Sequence, residues 1–207
     1  MPLTIKDAEA LQIKLAKKVI KRDFINYSKI RYICGVDVSY RDDKAYACSV
    51  IVDRDLNVID ASCSVVKVEQ PYIPGFLFLR ESEPIFSALE KLDHGYDILM
   101  VDGHGLLHPR KFGLACYIGI KVNKPTVGVA KNLLCGKVSK SNAVLLNGRV
   151  VGYAIKTKTG AKPVYVSVGY KISLRTTVKI VKEVSMYRIP EPIRLADINS
   201  RRIVRGY

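Results

Sequence analysis

The chain has 207 residues, 48% hydrophobic and 26% charged, a composition long enough to bury a full core in one large domain or two small ones. Its 34 Lys and Arg outnumber 19 Asp and Glu, a net charge of +15 that points either to a polyanionic partner such as nucleic acid or to a generally basic, solvated surface. Five widely spaced cysteines with no C-x-x-C pair argue against a zinc site or secreted disulfide scaffold, and no apolar run nears the roughly 20 residues that span a bilayer. A soluble, cytoplasmic protein with no membrane partner is therefore expected.

In "KDAEALQIKLAKKVIKR", residues 6–22, Ala8, Leu11, Leu15 and Val19 recur at helical spacing, so an amphipathic helix is expected over that span. Three strand-like runs follow, "YICGVDVSY" (32–40), "AYACSVIVD" (45–53) and "VIDASCSVVKV" (58–68), joined by short polar turns suited to an antiparallel meander. Cys34, Cys48 and Cys63 lie inside these runs, where cysteine usually serves as a small buried hydrophobe. After "EQPYIPG" a helix is expected from Ser82, read as an N-cap before Pro84, through Ile85, Phe86, Leu89 and Leu92.

Residues 97–101 read as a short buried strand closed by Asp102-Gly103, followed by a helix around 110–121 and a strand at 126–130. Asn147-Gly148 is a strong turn signal at the centre of a hairpin over 143–157; "VYVSV" adds a strand, and a helix begins near Ser173. The stretch "RIPEPIRLADINSRRIVRGY", from 188, reads as a basic tail without helical periodicity that docks loosely or meets a backbone phosphate. No linker or repeat divides the order, so residues 1–207 are expected to form one α/β domain with a mixed sheet.

Asp102 ends a buried strand, the place in open α/β sheets where ligands bind; the bland reading is a strand-end Asp with a Gly turn. Asp37 lies mid-strand among apolar residues, costly if buried without a partner, unremarkable if the sheet face is exposed. If the two strands are neighbours their carboxylates converge, and with Glu81 as a third acid they form a hard oxygen set suited to Mg²⁺ or Mn²⁺. An acidic cluster in a basic protein suggests metal-assisted phosphodiester hydrolysis. Lys131, ending "GVAK", is placed either to neutralise a phosphate or as an ordinary exposed lysine. "PYIP", Pro71 to Pro74, is either a rigid turn with Tyr72 half-buried or a stiff loop whose aromatic stacks on a base.

Four blocks, "GVDVSY", "PYIPGFLFLRE", "VDGHGLLHPRKFGLA" and "GVAK", resemble in order and spacing the signature blocks of the endonuclease V family. The resemblance implies a ribonuclease H-like fold and a Mg²⁺-dependent deoxyinosine 3′ endonuclease with Mn²⁺ as a possible substitute. Such an enzyme cleaves the second phosphodiester bond 3′ to hypoxanthine and leaves a 3′-hydroxyl and a 5′-phosphate. It implies Asp37 and Asp102 as metal ligands, Glu81 as the third acid, and His108 and Lys131 near the scissile phosphate. Pro71, Tyr72, Ile73 and Pro74 match the family's wedge, and Gly75, Leu77, Gly103 and Leu134 match positions whose main chain surrounds a flipped base. The implied partner of a monomeric enzyme is DNA containing deoxyinosine; inosine-containing RNA is the nearest alternative, and a catalytically weakened nucleic-acid-binding module is another. Tyr117 and Tyr170 stand where the family usually has His, and the resemblance implies that the second of these lies near the metal. His104 falls at a variable position of the D-G-x-G loop, and His94 reads as a helix-end residue.

Overall fold

In the computed structural model, which describes residues 4–206, the meander forms as β1 (Ile33–Arg41), β2 (Lys44–Val52) and β3 (Val58–Lys67). Then come β4 (Ile98–Asp102), β5 (Thr126–Ala130), β6 (Lys137–Val138), β7 (Ala143–Leu146), β8 (Arg149–Ile155) and β9 (Val164–Tyr170). These make one nine-stranded sheet of order β3-β2-β1-β4-β5-β9-β8-β7-β6. The β1–β4 and β4–β5 pairs are parallel, while the meander and the β5–β9–β8–β7–β6 side are antiparallel. The mixed sheet expected for a ribonuclease H-like fold is therefore present.

Helices α1 (Ile5–Ala16), α2 (Phe78–Leu89) and α3 (Leu114–Val122) cover one face, where Ala8, Ile85, Leu89 and Ile118 pack on Cys34, Val36, Leu99 and Val101. The other face carries α4 (Leu174–Glu183) and α5 (Glu191–Arg205), whose Ile180, Val181, Ile193 and Ala196 pack on Ile33, Val50, Met100 and Val127. Strand residues two apart share a face. Asp37 therefore follows Ile33 and Gly35 toward α5, and Asp102 follows Ile98 and Met100 to the same side. The register Val36↔Val101 puts the two aspartates level on adjacent parallel strands.

Four sequence expectations are corrected. The segment from 188 does not dock loosely: it forms α5, built across β1 and β2. Its buried stripe includes Ile193 and the small residues Ala196 and Ser200 at helical spacing, so the segment is amphipathic at the helical period that the sequence reading missed. The small residues permit close approach, and Gly35 completes the fit, since a Cβ there would lie 2.2 Å from the Pro192 carbonyl carbon.

Helix α1 stops at Ala16 rather than 22, because the chain turns off so that the Ile20 carbonyl can accept from the Lys171 amide. Helix α2 starts at Phe78, so Ser82 is no N-cap and Pro84 lies inside the helix; Glu81 thereby joins the first turn, on the buried stripe of Phe78 and Ile85. Cys48 and Cys63 are not free apolar residues but a disulfide, formed because the β2–β3 register sets them directly opposite, with Cα atoms 4.2 Å apart.

Candidate active site

Parallel strands end together, and the carboxyl ends of β1, β4 and β5 open into a cleft of about 440 Å³. Asp37, 7% exposed, stands beside Asp102, the last residue of β4. Lys131, just past β5, donates to Asp102 Oδ2 at 2.5 Å. Glu81 reaches the same cleft from α2 and accepts from the Tyr40 hydroxyl at 3.1 Å, with Arg80 stacked over the Tyr40 ring.

The charges are poorly matched to their burial. Burial, then the hydrogen bond and charge of Asp102, push the Asp37 carboxyl up to about 9. Burial, with the charge of Asp102 behind it, raises Glu81 to about 8 against the opposing Tyr40 hydrogen bond. Burial works against the Lys131 ammonium, yet Asp102, Asp37 and Asp197 outweigh it and hold that group above the usual lysine range. Such a site lacks positive charge, and its all-oxygen donor set suits a hard divalent cation.

Among the described residues no three His, Cys, Asp or Glu side chains stand close enough to hold a metal ion by themselves. Asp37 and Asp102 thus fit as the two carboxylates of a Mg²⁺-type site, which normally takes one or two carboxylates and leaves the rest of its shell to water and phosphate.

The cleft is also lined by apolar and glycine residues: Tyr72, Gly75, Leu77, Gly103, Leu133 and Leu134. Tyr72 is 65% exposed and Leu134 40%, two large side chains held out at the rim. Of the other loop residues, Ile73 packs against the α2-side core, while Pro71 and Pro74 are exposed and do not line the cleft.

His108 lines the cleft but both its ring nitrogens are engaged by the chain, Nε2 with the Gly75 carbonyl at 3.0 Å and Nδ1 with the Arg110 amide at 3.2 Å. Burial holds it down to about 4, so it is neutral at physiological pH. His104 also lines the cleft, its Nε2 on the Asn132 carbonyl at 3.0 Å, and burial lowers it to about 4.

The remaining sequence candidates lie elsewhere. Tyr170 pairs with Thr126 at the far end of β5, four residues along the strand from Ala130, and so not near the acids as expected. Tyr117 packs its ring against Phe78 and Phe86 between α2 and α3. His94 is exposed past the end of α2.

Sequence reasoning missed Asp197, which lines the acidic side from α5 and ion-pairs with Arg201 at 2.9 Å. It also missed Ser200, whose hydroxyl lies 3.5 Å from Asp37 Oδ2, and Gln12, buried under the Gly75 loop. The signal was the i, i+3, i+4 spacing of Asp197, Ser200 and Arg201, visible only once the segment is read as a helix.

The model of the family described as Endonuclease V matches residues 13–198. The chain belongs to the endonuclease V family. An endonuclease V of Thermofilum pendens is 42% identical over 210 residues, which covers 98% of this chain and 90% of that protein. The crystal structure of endonuclease V from Streptomyces avermitilis superposes with a TM-score of 0.89 at 35% identity, covering 99% of this chain and 95% of that one. That of Ciona intestinalis endonuclease V, in complex with a 24mer DNA containing an inosine followed by a ribo-adenosine, superposes at 0.88 with 30% identity and covers 98% of each chain. As a member of this family the chain is an endonuclease, and no helix among its described residues is long and apolar enough to cross a membrane.

Proposed function

We propose that this endonuclease recognises deoxyinosine in DNA and, with a divalent metal ion, hydrolyses the second phosphodiester bond on its 3′ side, leaving a 3′-hydroxyl and a 5′-phosphate. The observation that carries the reading is the buried Asp37–Asp102 pair, short of positive charge, facing a rim of exposed aromatic and main-chain groups across one cleft. The relative solved with inosine-containing DNA supports the substrate.

Asp37 and Asp102 would hold the metal ion. When bound, Mg²⁺ or Mn²⁺ supplies Lewis acidity toward a phosphate oxygen and makes water a stronger nucleophile. Lys131, preset on Asp102, offsets charge that builds on the phosphate or the leaving 3′ oxygen. Glu81, held high by burial, is suited to carry a proton near neutral pH. Tyr72 fills the gap left by a base turned out of the stack, and the main chain at Gly75, Gly103 and Leu134 reads that base without side chains. Hypoxanthine differs from adenine by an oxygen at C6 and a proton on N1, groups that backbone donors and acceptors distinguish.

Matched DNA and RNA strands, with inosine or adenosine at one position, incubated with and without Mg²⁺ and mapped to single nucleotides, test the proposal. Inosine-dependent, metal-dependent cutting of DNA one nucleotide beyond the lesion's own 3′ phosphate is expected. Cutting that ignores inosine, or that occurs in RNA alone, refutes it.

A further inference from the structure

The Gly75 carbonyl accepts three hydrogen bonds, from Gln12 Nε2, His108 Nε2 and Arg110 Nη2, each at 3.0 Å. A carbonyl oxygen has two lone pairs, so one acceptor saturated by three side chains from two distant segments is an unusual concentration of donors. Gln12 is 1% exposed and fully used: its amide also donates to the Phe112 carbonyl at 2.9 Å, and its Oε1 accepts from Arg110 Nε at 2.6 Å. Burying a glutamine is unfavourable unless its polar atoms are matched, and these are matched by one loop junction. Arg110 is fixed in turn by stacking over Phe76 and by an ion pair with Glu9 of α1.

The junction lies at the foot of the Tyr72 loop. Gly75 has φ +82°, a conformation that favours glycine, and a Cβ there would stand 3.1 Å from Arg110 Nη2. Pro71 and Pro74 have no amide hydrogen, and among the described residues Tyr72, Ile73 and Gly75 donate no backbone hydrogen bond. Besides the packing of Ile73 on the α2-side core, the loop's attachments among the described residues are an Arg80 bond to the Gln70 carbonyl at one end, the Phe76-to-Ile73 turn, and the triple contact at Gly75.

We propose that Gln12 is a positioning residue: together with His108 and Arg110 it clamps the Gly75 carbonyl, and through it α1 holds the Tyr72 loop over the cleft and sets discrimination for inosine in duplex DNA. The specificity half of this inference rests on the wedge role given to Tyr72 above; the clamp itself does not. Gln12 touches no reacting atom, and its effect on cleavage passes through the loop.

Two variants test it. Gln12→Met keeps the length and removes every hydrogen bond; Gln12→Glu keeps the acceptor for Arg110, so α1 stays fastened, but removes the donors to Gly75 and Phe112. In either folded variant, hydrogen exchange of the Phe76 amide, the one backbone donor of the loop among the described residues, is expected to quicken by about tenfold while β4 and β5 are unchanged. Unchanged exchange of the Phe76 amide overturns the clamp. Duplex inosine cleavage is expected to fall by about fivefold more than single-strand cleavage, and this extra loss is expected to vanish in a Tyr72→Ala background. Equal losses on both substrates, or a duplex-specific loss that persists without Tyr72, overturn the specificity role. If Tyr72→Ala alone spares duplex cleavage, the wedge reading falls with the specificity role, and the exchange data still decide the clamp.

Discussion

Replacing Asp37 by Asn is expected to stabilise the metal-free protein while destroying its activity. Burial and Asp102 raise the folded-state pKa of Asp37 to about 9, against 3.8 for the unperturbed group. The folded state therefore binds this proton more tightly than the unfolded chain between those values. The associated stability is complete below the unfolded value, is lost as pH rises, and levels off above the folded one. Glu81, raised to about 8 from 4.5, acts with the same sign. Each pH unit inside the window costs at most about 1.4 kcal/mol for one group, so at pH 8, where folded Asp37 must still hold a proton that the unfolded chain has released, the liability is on the order of 2–4 kcal/mol after relaxation. Asn keeps the shape and a hydrogen bond for Ser200, and carries no charge to repel Asp102.

The midpoint of thermal unfolding in chelator at pH 8 should then be roughly 5–15 °C higher for Asp37→Asn than for wild type, with the difference closing toward pH 4. Saturating Mg²⁺ should raise the wild-type midpoint and leave that of the variant nearly unchanged, while nicking by the variant falls by about 10³-fold or more. Calorimetry or circular dichroism from pH 4 to 9, with and without metal, gives the comparison. Parallel pH dependences for the two proteins in chelator, or nicking by the variant near the wild-type rate, would show that Asp37 is not a strained metal-ligand carboxylate.

Lys131→Met should lower single-turnover cleavage by about 10²–10³-fold with a much smaller effect on DNA affinity, since its charge matters most where phosphate charge develops; an equal fall in affinity would make it a binding residue. Tyr72→Ala should reduce cutting of duplex inosine by roughly tenfold more than of single-stranded inosine, because stacking is worth about 1–3 kcal/mol per base and single strands need little unstacking. Equal losses in that comparison count against the wedge. Gly35→Ala should lower stability in denaturant titration by about 1–3 kcal/mol or more and impair cleavage through α5, because the new Cβ meets the Pro192–Ile193 backbone; an unperturbed variant means α5 does not pack there. Binding to undamaged duplex should weaken steeply with salt if the +15 charge is a nucleic-acid footprint, and a flat plot of log affinity against log salt leaves only a solvated basic surface.

The sequence by itself determined the strands and which acidic and basic side chains they bring to the cleft. The runs around Asp37 and Asp102 and the Asn147-Gly148 hairpin are local patterns, and local backbone preference needs no distant partner to be read. The four family blocks identified Asp37, Glu81, Asp102 and Lys131, all of which meet in the cleft. Only the tertiary structure decided what depends on contacts between segments far apart in the chain. Helix α5 was missed although Ile193, Ala196 and Ser200 recur at helical spacing; that this stripe is buried, with the Pro192–Ile193 backbone against Gly35, is a tertiary fact, and with α5 went Asp197. Tyr170 was placed beside the acids by analogy, whereas strand register puts it at the opposite end of β5. No local pattern marks Gln12, because its bonds to Gly75, Phe112 and Arg110 span 63 to 100 residues of sequence. Hydrophobic period records which face is buried; which polar atoms meet there is set by how the elements dock.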